Sequence, residues 1–136
     1  MESDDSNMYR EHILELYKEP SNYGTIKNPT HQKTGNNPLC GDEITVQITV
    51  KGNKVEDIKF RARGCAISIA SASLITDYAK GKSLNGIRSI GSEKVVDLLH
   101  IPISPVRLKC ALLPLQTLHD AIGMKTEGKN GTARNK

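Results

Sequence analysis

The 136-residue chain is short of the groups that several common functions need. Aromatic residues make up only 4% of it and tryptophan is absent, so there are few rings on which bases could stack. The net charge is +4, but Lys125, Lys129, Arg134 and Lys136, against Glu127, place much of that excess in the last residues. Nucleic acid is therefore not an expected partner. The hydrophobic fraction of 37% and charged fraction of 25% are those of an ordinary soluble globular protein, and no membrane partner is expected. Residues 1–6 are acidic and no apolar run follows them, so neither a secretory signal nor a transit peptide is expected, and the expected location is cytoplasmic. Cysteine is scarce too. Three thiols are an odd number for a disulfide framework, which leaves metal or thiol chemistry as the better reading.

The length suits a single domain whose core needs no disulfides, and there are no internal repeats. Met8, Ile13, Leu16 and Tyr17 recur at roughly helical spacing, and Pro20 with Asn22-Tyr23-Gly24 closes that first helix. Residues 25–39, with Pro29, Gly35 and Pro38, read as a loop holding at most one weak strand. Ile44, Val46, Ile48 and Val50 then alternate strictly with Thr45, Gln47 and Thr49, the pattern of a half-buried strand. Gly52-Asn53 supplies a turn, and Val55, Ile58, Phe60 and Ala62 continue into a second strand of a hairpin. The apolar face of that hairpin needs a cover, which helices over 66–78, 92–99 and 111–122 supply, stopped near Gly81 and at Gly123, with Ser92 as an N-cap. Pro114 is tolerated only in a first turn, so the last helix is expected to start near Cys110. The expected fold class is α+β, a small antiparallel sheet with helices packed on one face. Residues 1–7 are expected to be a flexible end, 8–123 the domain, and 124–136 a disordered basic tail.

The thiols fall at the ends of these elements. Cys40-Gly41-Asp42 opens the first clear strand, where residues i and i+2 share a face, so a thiol and a carboxylate could share a metal. Gly41 and Gly64 leave space beside Cys40 and Cys65 for a bulky inorganic group. Cys65 and Cys110 each stand at an expected helix start, where the positive end of the macrodipole favours thiolate. Other readings stand beside these: a cysteine is often a small buried hydrophobe, and a lone Asp42 would be a solvated carboxylate at a strand start. Lys59, Arg61 and Arg63 read as a solvated sheet face or a docking patch for an acidic partner, with no role in the site. His12, His31, His100 and His119 occur singly and read as surface or satisfied histidines, with His100 as the reserve ligand.

The stretches YREHILELYKEPSNYG, NPLCGDEITVQI, RARGCAISIASAS and PVRLKC, spread from about Tyr9 to Ile122, resemble the IscU/SufU/NifU N-terminal family of iron-sulfur cluster scaffolds. The resemblance implies a protein that takes sulfur from a cysteine desulfurase, builds a [2Fe-2S] cluster and passes it to acceptor apoproteins. It is a scaffold or carrier rather than an enzyme, with a homo-oligomer around the cluster also in view. Cys40, Asp42, Cys65 and Cys110 match the family's ligand positions; one of the cysteines is expected to take a persulfide, and Cys110 is the candidate because of its expected helix-start position. Lys109 stands where the Isc-type branch carries histidine and could balance charge. The Suf-type branch also favours a basic residue there, but it carries a long insertion between its second and third cysteines that Cys65 to Cys110 lacks. Ile103-Ser104-Pro105-Val106-Arg107 only partly matches the element a dedicated chaperone reads in Isc-type scaffolds. The alternative function is a zinc-stabilised sulfur acceptor of the Suf type, with Zn(II) as the resting metal, and a structural zinc module is a third reading. Three thiolates and a carboxylate bring about four negative charges against about two positive ones on Zn(II) or an oxidised [2Fe-2S] core, so charge does not separate the two cofactors.

Overall fold

The protein is described by a computed structural model over residues 2–38 and 41–124. Its sheet grows from the alternating segment. Strand β2 (Asp42–Lys51) buries Ile44, Val46 and Ile48 and turns Thr45, Gln47 and Thr49 to the other side. Strand β3 (Lys54–Arg63) pairs with it antiparallel, setting Ile44 beside Ala62, Val46 beside Phe60 and Ile48 beside Ile58. Gly52 (φ 59°) and Asn53 (φ 64°) both take the left-handed conformation that a tight hairpin turn requires, as their types suggest. The stretch read as loop with one weak strand contains β1 (His31–Asn37), which pairs antiparallel with β2 and completes a sheet in the order β1-β2-β3. Its residues are polar, so only the pairing partner reveals it.

One face of this sheet is covered. Helices α2 (Ala66–Ala79) and α5 (Pro105–Met124) lie against it, α2 on β3 and α5 on β1 and β2, with α1 (Glu2–Lys18) packed on α2. The short α3 (Leu84–Arg88) and α4 (Ser92–Leu99) fill in beside α2 and α5. The core joins Phe60, Ile58 and Ile48 of the sheet to Ile75 of α2, Val95 and Leu99 of α4, and Leu118 and Ile122 of α5. On the open face the side chains form a polar ladder: Thr34 meets Thr45 at 2.7 Å, Gln47 donates to Gln32 at 2.6 Å, and Arg63 pairs with Glu43 at 3.0 Å. The expected α+β architecture is the observed one. Among the described residues no helix is long and apolar enough to cross a membrane.

The structure corrects several expected boundaries. Helix α1 runs from Glu2, through residues read above as a flexible end, where no periodic apolar residues announce it. Gly91, not Ser92, is the N-cap of α4. The largest correction concerns α5, which begins at Pro105 rather than near Cys110 and continues past Gly123 to Met124, leaving Pro114 well inside it. Ser104 caps that start: its Oγ accepts the Arg107 N–H at 3.3 Å, and its carbonyl accepts the Leu108 N–H at 2.8 Å. Pro114 has no N–H to offer the Cys110 carbonyl. Next to that break the Ser71 hydroxyl of α2 donates to the Ala111 carbonyl at 2.6 Å, tying α5 to α2 where its own ladder is interrupted. The expected tail beyond Met124 lies outside the described residues.

Candidate metal centre

Three chain segments meet where β2 begins, where β3 hands over to α2, and in the early turns of α5. Asp42 is the first residue of β2 and pairs with Asn37, the last of β1. Gly41 before it has φ 76°, and its N–H donates to the Asn37 carbonyl at 2.8 Å, so the chain turns sharply into the strand. That turn removes the basis for placing residues 40 and 42 on one face, because Gly41 is not extended. Cys40 itself lies outside the described residues. Cys65 is the N-cap of α2, in extended backbone (φ −77°, ψ 169°), and Cys110 projects from α5.

One ligand atom from each of Asp42, Cys65 and Cys110 lies within 4.8 Å of the others. Tetrahedral Zn–S bonds of about 2.3 Å would set the donors about 3.8 Å apart, so the group is near what a single ion gathers. Asp42 is 2% exposed, Cys110 2% exposed, and Cys65 half-buried. The Asp42 carboxylate divides its oxygens. Oδ1 accepts the Cys65 backbone N–H at 3.2 Å, and Oδ2 is buried with no hydrogen-bond partner among the described residues. A buried carboxylate oxygen without a donor is costly, and a cation held jointly with two thiolates satisfies it. The donor set therefore fits a metal or cluster: two soft sulfurs and one hard oxygen.

The structure thus brings together three of the four residues singled out in the sequence. It changes the ground for Cys110, which stands inside α5 rather than at its first residue, so the helix-start argument for a thiolate there does not hold. Gly64 also plays a different part from the one expected, since the space beside it contains the Asp42 carboxylate. None of the histidines joins the group: among the described residues it consists of the one aspartate and two cysteines. His119 Nε2 lies 2.9 Å from the Ile87 carbonyl, and His100 ends α4 in a left-handed conformation (φ 61°). Lys109 is exposed and lines a cleft of about 350 Å³ with Asn37, Pro38, Pro105, Leu108 and Leu112, beside the centre. Lys59, Arg61 and Arg63 belong to the open face, where Arg63 pairs with Glu43.

Residues 8–132 match the family described as NifU-like N terminal domain. The chain belongs to the NifU-like N-terminal domain family. Among its relatives in that family, the iron-sulfur cluster assembly scaffold protein IscU of Haemophilus influenzae is 37% identical over 118 residues, covering 84% of this chain and 92% of that protein. IscU 1 of Archaeoglobus fulgidus, also named an iron-sulfur cluster assembly scaffold protein, is 36% identical and covers 85% of this chain and 74% of its own. The zinc-dependent sulfurtransferase SufU of Bacillus subtilis is 35% identical, covering 90% of this chain and 94% of that protein. That last alignment runs to 140 positions, more than this whole chain of 136, so SufU contributes residues with no counterpart here. The crystal structure of the SUF-system protein from Fervidobacterium islandicum superposes with a TM-score of 0.73 at 29% identity, over 86% of this chain and 98% of that one. A NifU-like N-terminal structure from Brucella abortus has the same fold, with a TM-score of 0.73 at 21% identity over 96% of this chain and 100% of its own. This NifU-like domain thus shares its fold with a SUF-system protein and with a NifU-like N-terminal domain.

Proposed function

We propose that this chain is an iron-sulfur cluster assembly scaffold: persulfide sulfur from a cysteine desulfurase, reduced to sulfide by electrons from ferrous iron and an external thiol or electron-transfer protein, combines with iron on Asp42, Cys65, Cys110 and Cys40, and the finished [2Fe-2S] cluster passes to acceptor apoproteins. The observation that carries the reading is the convergence of an aspartate and two cysteines, from the start of β2, the N-cap of α2 and α5, within 4.8 Å, with Asp42 Oδ2 buried and without a donor among the described residues. The cluster is cargo. The chain's own part is to present thiolates, to hold a carboxylate ready, and to release what it holds.

Cys65 stands at the N-cap of α2, half-buried, with a ligand atom within 4.8 Å of those of Asp42 and Cys110. Asp42 offers a buried Oδ2 that has no donor among the described residues, while its Oδ1 accepts the Cys65 amide. A single hard oxygen among soft sulfurs is the weakest bond of the set, which favours exchange over permanence. Such a site works by carriage and hand-over rather than by turnover of a substrate. Lys109, exposed beside the centre, can offset the excess negative charge of the loaded site.

A second reading, a zinc-holding sulfur acceptor, draws on the close grouping of the three donors, which suits one ion. It uses the same residues. The scaffold is preferred because the Cys65 to Cys110 segment lacks the Suf-type insertion and SufU carries residues this chain does not. The test is desulfurase-driven assembly under anaerobic conditions, followed by incubation with an apo-ferredoxin. A scaffold yields a cluster that moves to the ferredoxin, whereas a zinc-bound acceptor takes up sulfur, keeps its zinc and transfers no cluster.

A further inference from the structure

We propose that Gly64 is a positioning residue of this centre: its missing side chain is the space in which the Asp42 carboxylate lies, and that carboxylate reaches the Cys65 amide and the sulfurs only because residue 64 has no Cβ. A Cβ built on Gly64 would stand 2.5 Å from Asp42 Oδ1, 2.9 Å from its Cγ and 3.2 Å from its Cβ. Real Cβ atoms do not tolerate the first two of these, so a side chain at 64 and the carboxylate in its present place exclude each other.

The aspartate has little freedom to yield. It is 2% exposed, its backbone is fixed by pairing with Asn37 in the sheet, and Oδ1 is held by the Cys65 N–H at 3.2 Å. Swinging the carboxylate aside would break that bond and take the carboxylate out of its place in the group with Cys65 and Cys110. The demand on Gly64 is for space alone, since it is absent from the residues with positive φ. Gly41, on the other side of Asp42, is the reverse case: φ 76° and nothing within 4 Å of a built Cβ. The two glycines flank one ligand for opposite physical reasons, conformation at 41 and clearance at 64.

The inference rests on reading Asp42, Cys65 and Cys110 as a metal centre, but the contact it names exists in the metal-free protein, so the two can fail separately. The experiment uses the full chain as wild type, Gly64→Ala, Asp42→Gly and the double variant. Urea unfolding without metal is measured alongside titration with Co(II), whose thiolate charge-transfer and d–d absorption report donor number and type. Gly64→Ala should bind Co(II) at least about tenfold more weakly, the scale on which supporting residues of a metal site act. In the Asp42→Gly background the same substitution should change Co(II) affinity by less than about twofold, as independent sites do. If Gly64→Ala alone does not fold without metal, restored folding in the double variant supports the proposal equally. An equal loss in both backgrounds, or no loss in either, overturns it. If wild type gives no thiolate absorption with Co(II), the metal reading fails, and the unfolding data still decide the Gly64 to Asp42 contact.

Discussion

Each donor at the centre has a chemistry that its nearest substitute lacks. Serine retains the shape of cysteine but offers a hard, poorly ionised oxygen to iron or zinc. Cys65→Ser and Cys110→Ser should therefore each lower bound iron after anaerobic assembly by more than about tenfold, the loss that removing a mere supporting neighbour can cause. Iron and sulfide analysis checks this, and circular dichroism should show both metal-free variants folded. Asp42 is expected to behave differently, as the weak corner of the set. Asp42→Ala should keep a [2Fe-2S] cluster longer than wild type and pass it to apo-ferredoxin more slowly, measured as a transfer half-time with total iron and zinc determined beforehand. Faster loss from the variant would contradict the labile-corner role and favour a closed zinc site, where removing one of four ligands weakens the metal.

Helices and strands bring those donors together, and two glycines separate the effects of packing from those of backbone shape. A Cβ on Gly35 of β1 would run into the Thr117 hydroxyl of α5, with Thr117 Cβ at 3.4 Å and Leu113 Cδ1 at 3.5 Å. Gly35→Ala should thus push α5 from the sheet and cost about 1–3 kcal/mol in urea unfolding, as overpacking does. Adding Thr117→Ala should recover most of it. Gly52 has open space around it but φ 59°, so Gly52→Ala should cost about 1–2 kcal/mol through backbone strain while leaving Co(II) binding unchanged. Much of this arrangement was legible beforehand. The alternation in β2 and the Gly52-Asn53 turn identify the hairpin because one buried face imposes a period of two. Strand β1 is polar and is held by its neighbour, so its own residues carry little signal. Read as a breaker, Pro114 puts the start of α5 too late, whereas Ser104-Pro105, a capping residue followed by proline, is the local signal of the true start. A tertiary bond from Ser71 supports the interrupted helix, and no local pattern in the sequence encodes it.

For the molecule as a whole, the sheet, with α2 and α5 on one face, acts as a frame holding a small reactive group at its edge. Truncating the frame should be costly without touching the chemistry directly: Phe60, fully buried against the helices and edge-on to Tyr23 at 5.3 Å between ring centroids, should cost about 3–5 kcal/mol as Phe60→Ala. The legible part of the centre was its residue types. Cys65 and Cys110 stand 45 positions apart in the sequence, and only the packing of α2 against α5 shows that they meet. The carboxylate's dependence on an empty position 64 was not legible, since a glycine needed for clearance and one needed for conformation look alike in a sequence. The central claim is that these residues build a cluster and let it go. Its most direct test is anaerobic assembly with ferrous iron, cysteine, a desulfurase and a thiol reductant, read by absorption spectrum and by iron, sulfide and zinc content before and after apo-ferredoxin is added. The account predicts sulfide-to-iron charge-transfer absorption, iron and sulfide in equal amounts, and their movement to the ferredoxin. Zinc alone on the protein, with neither sulfide-linked iron nor transfer, would contradict it.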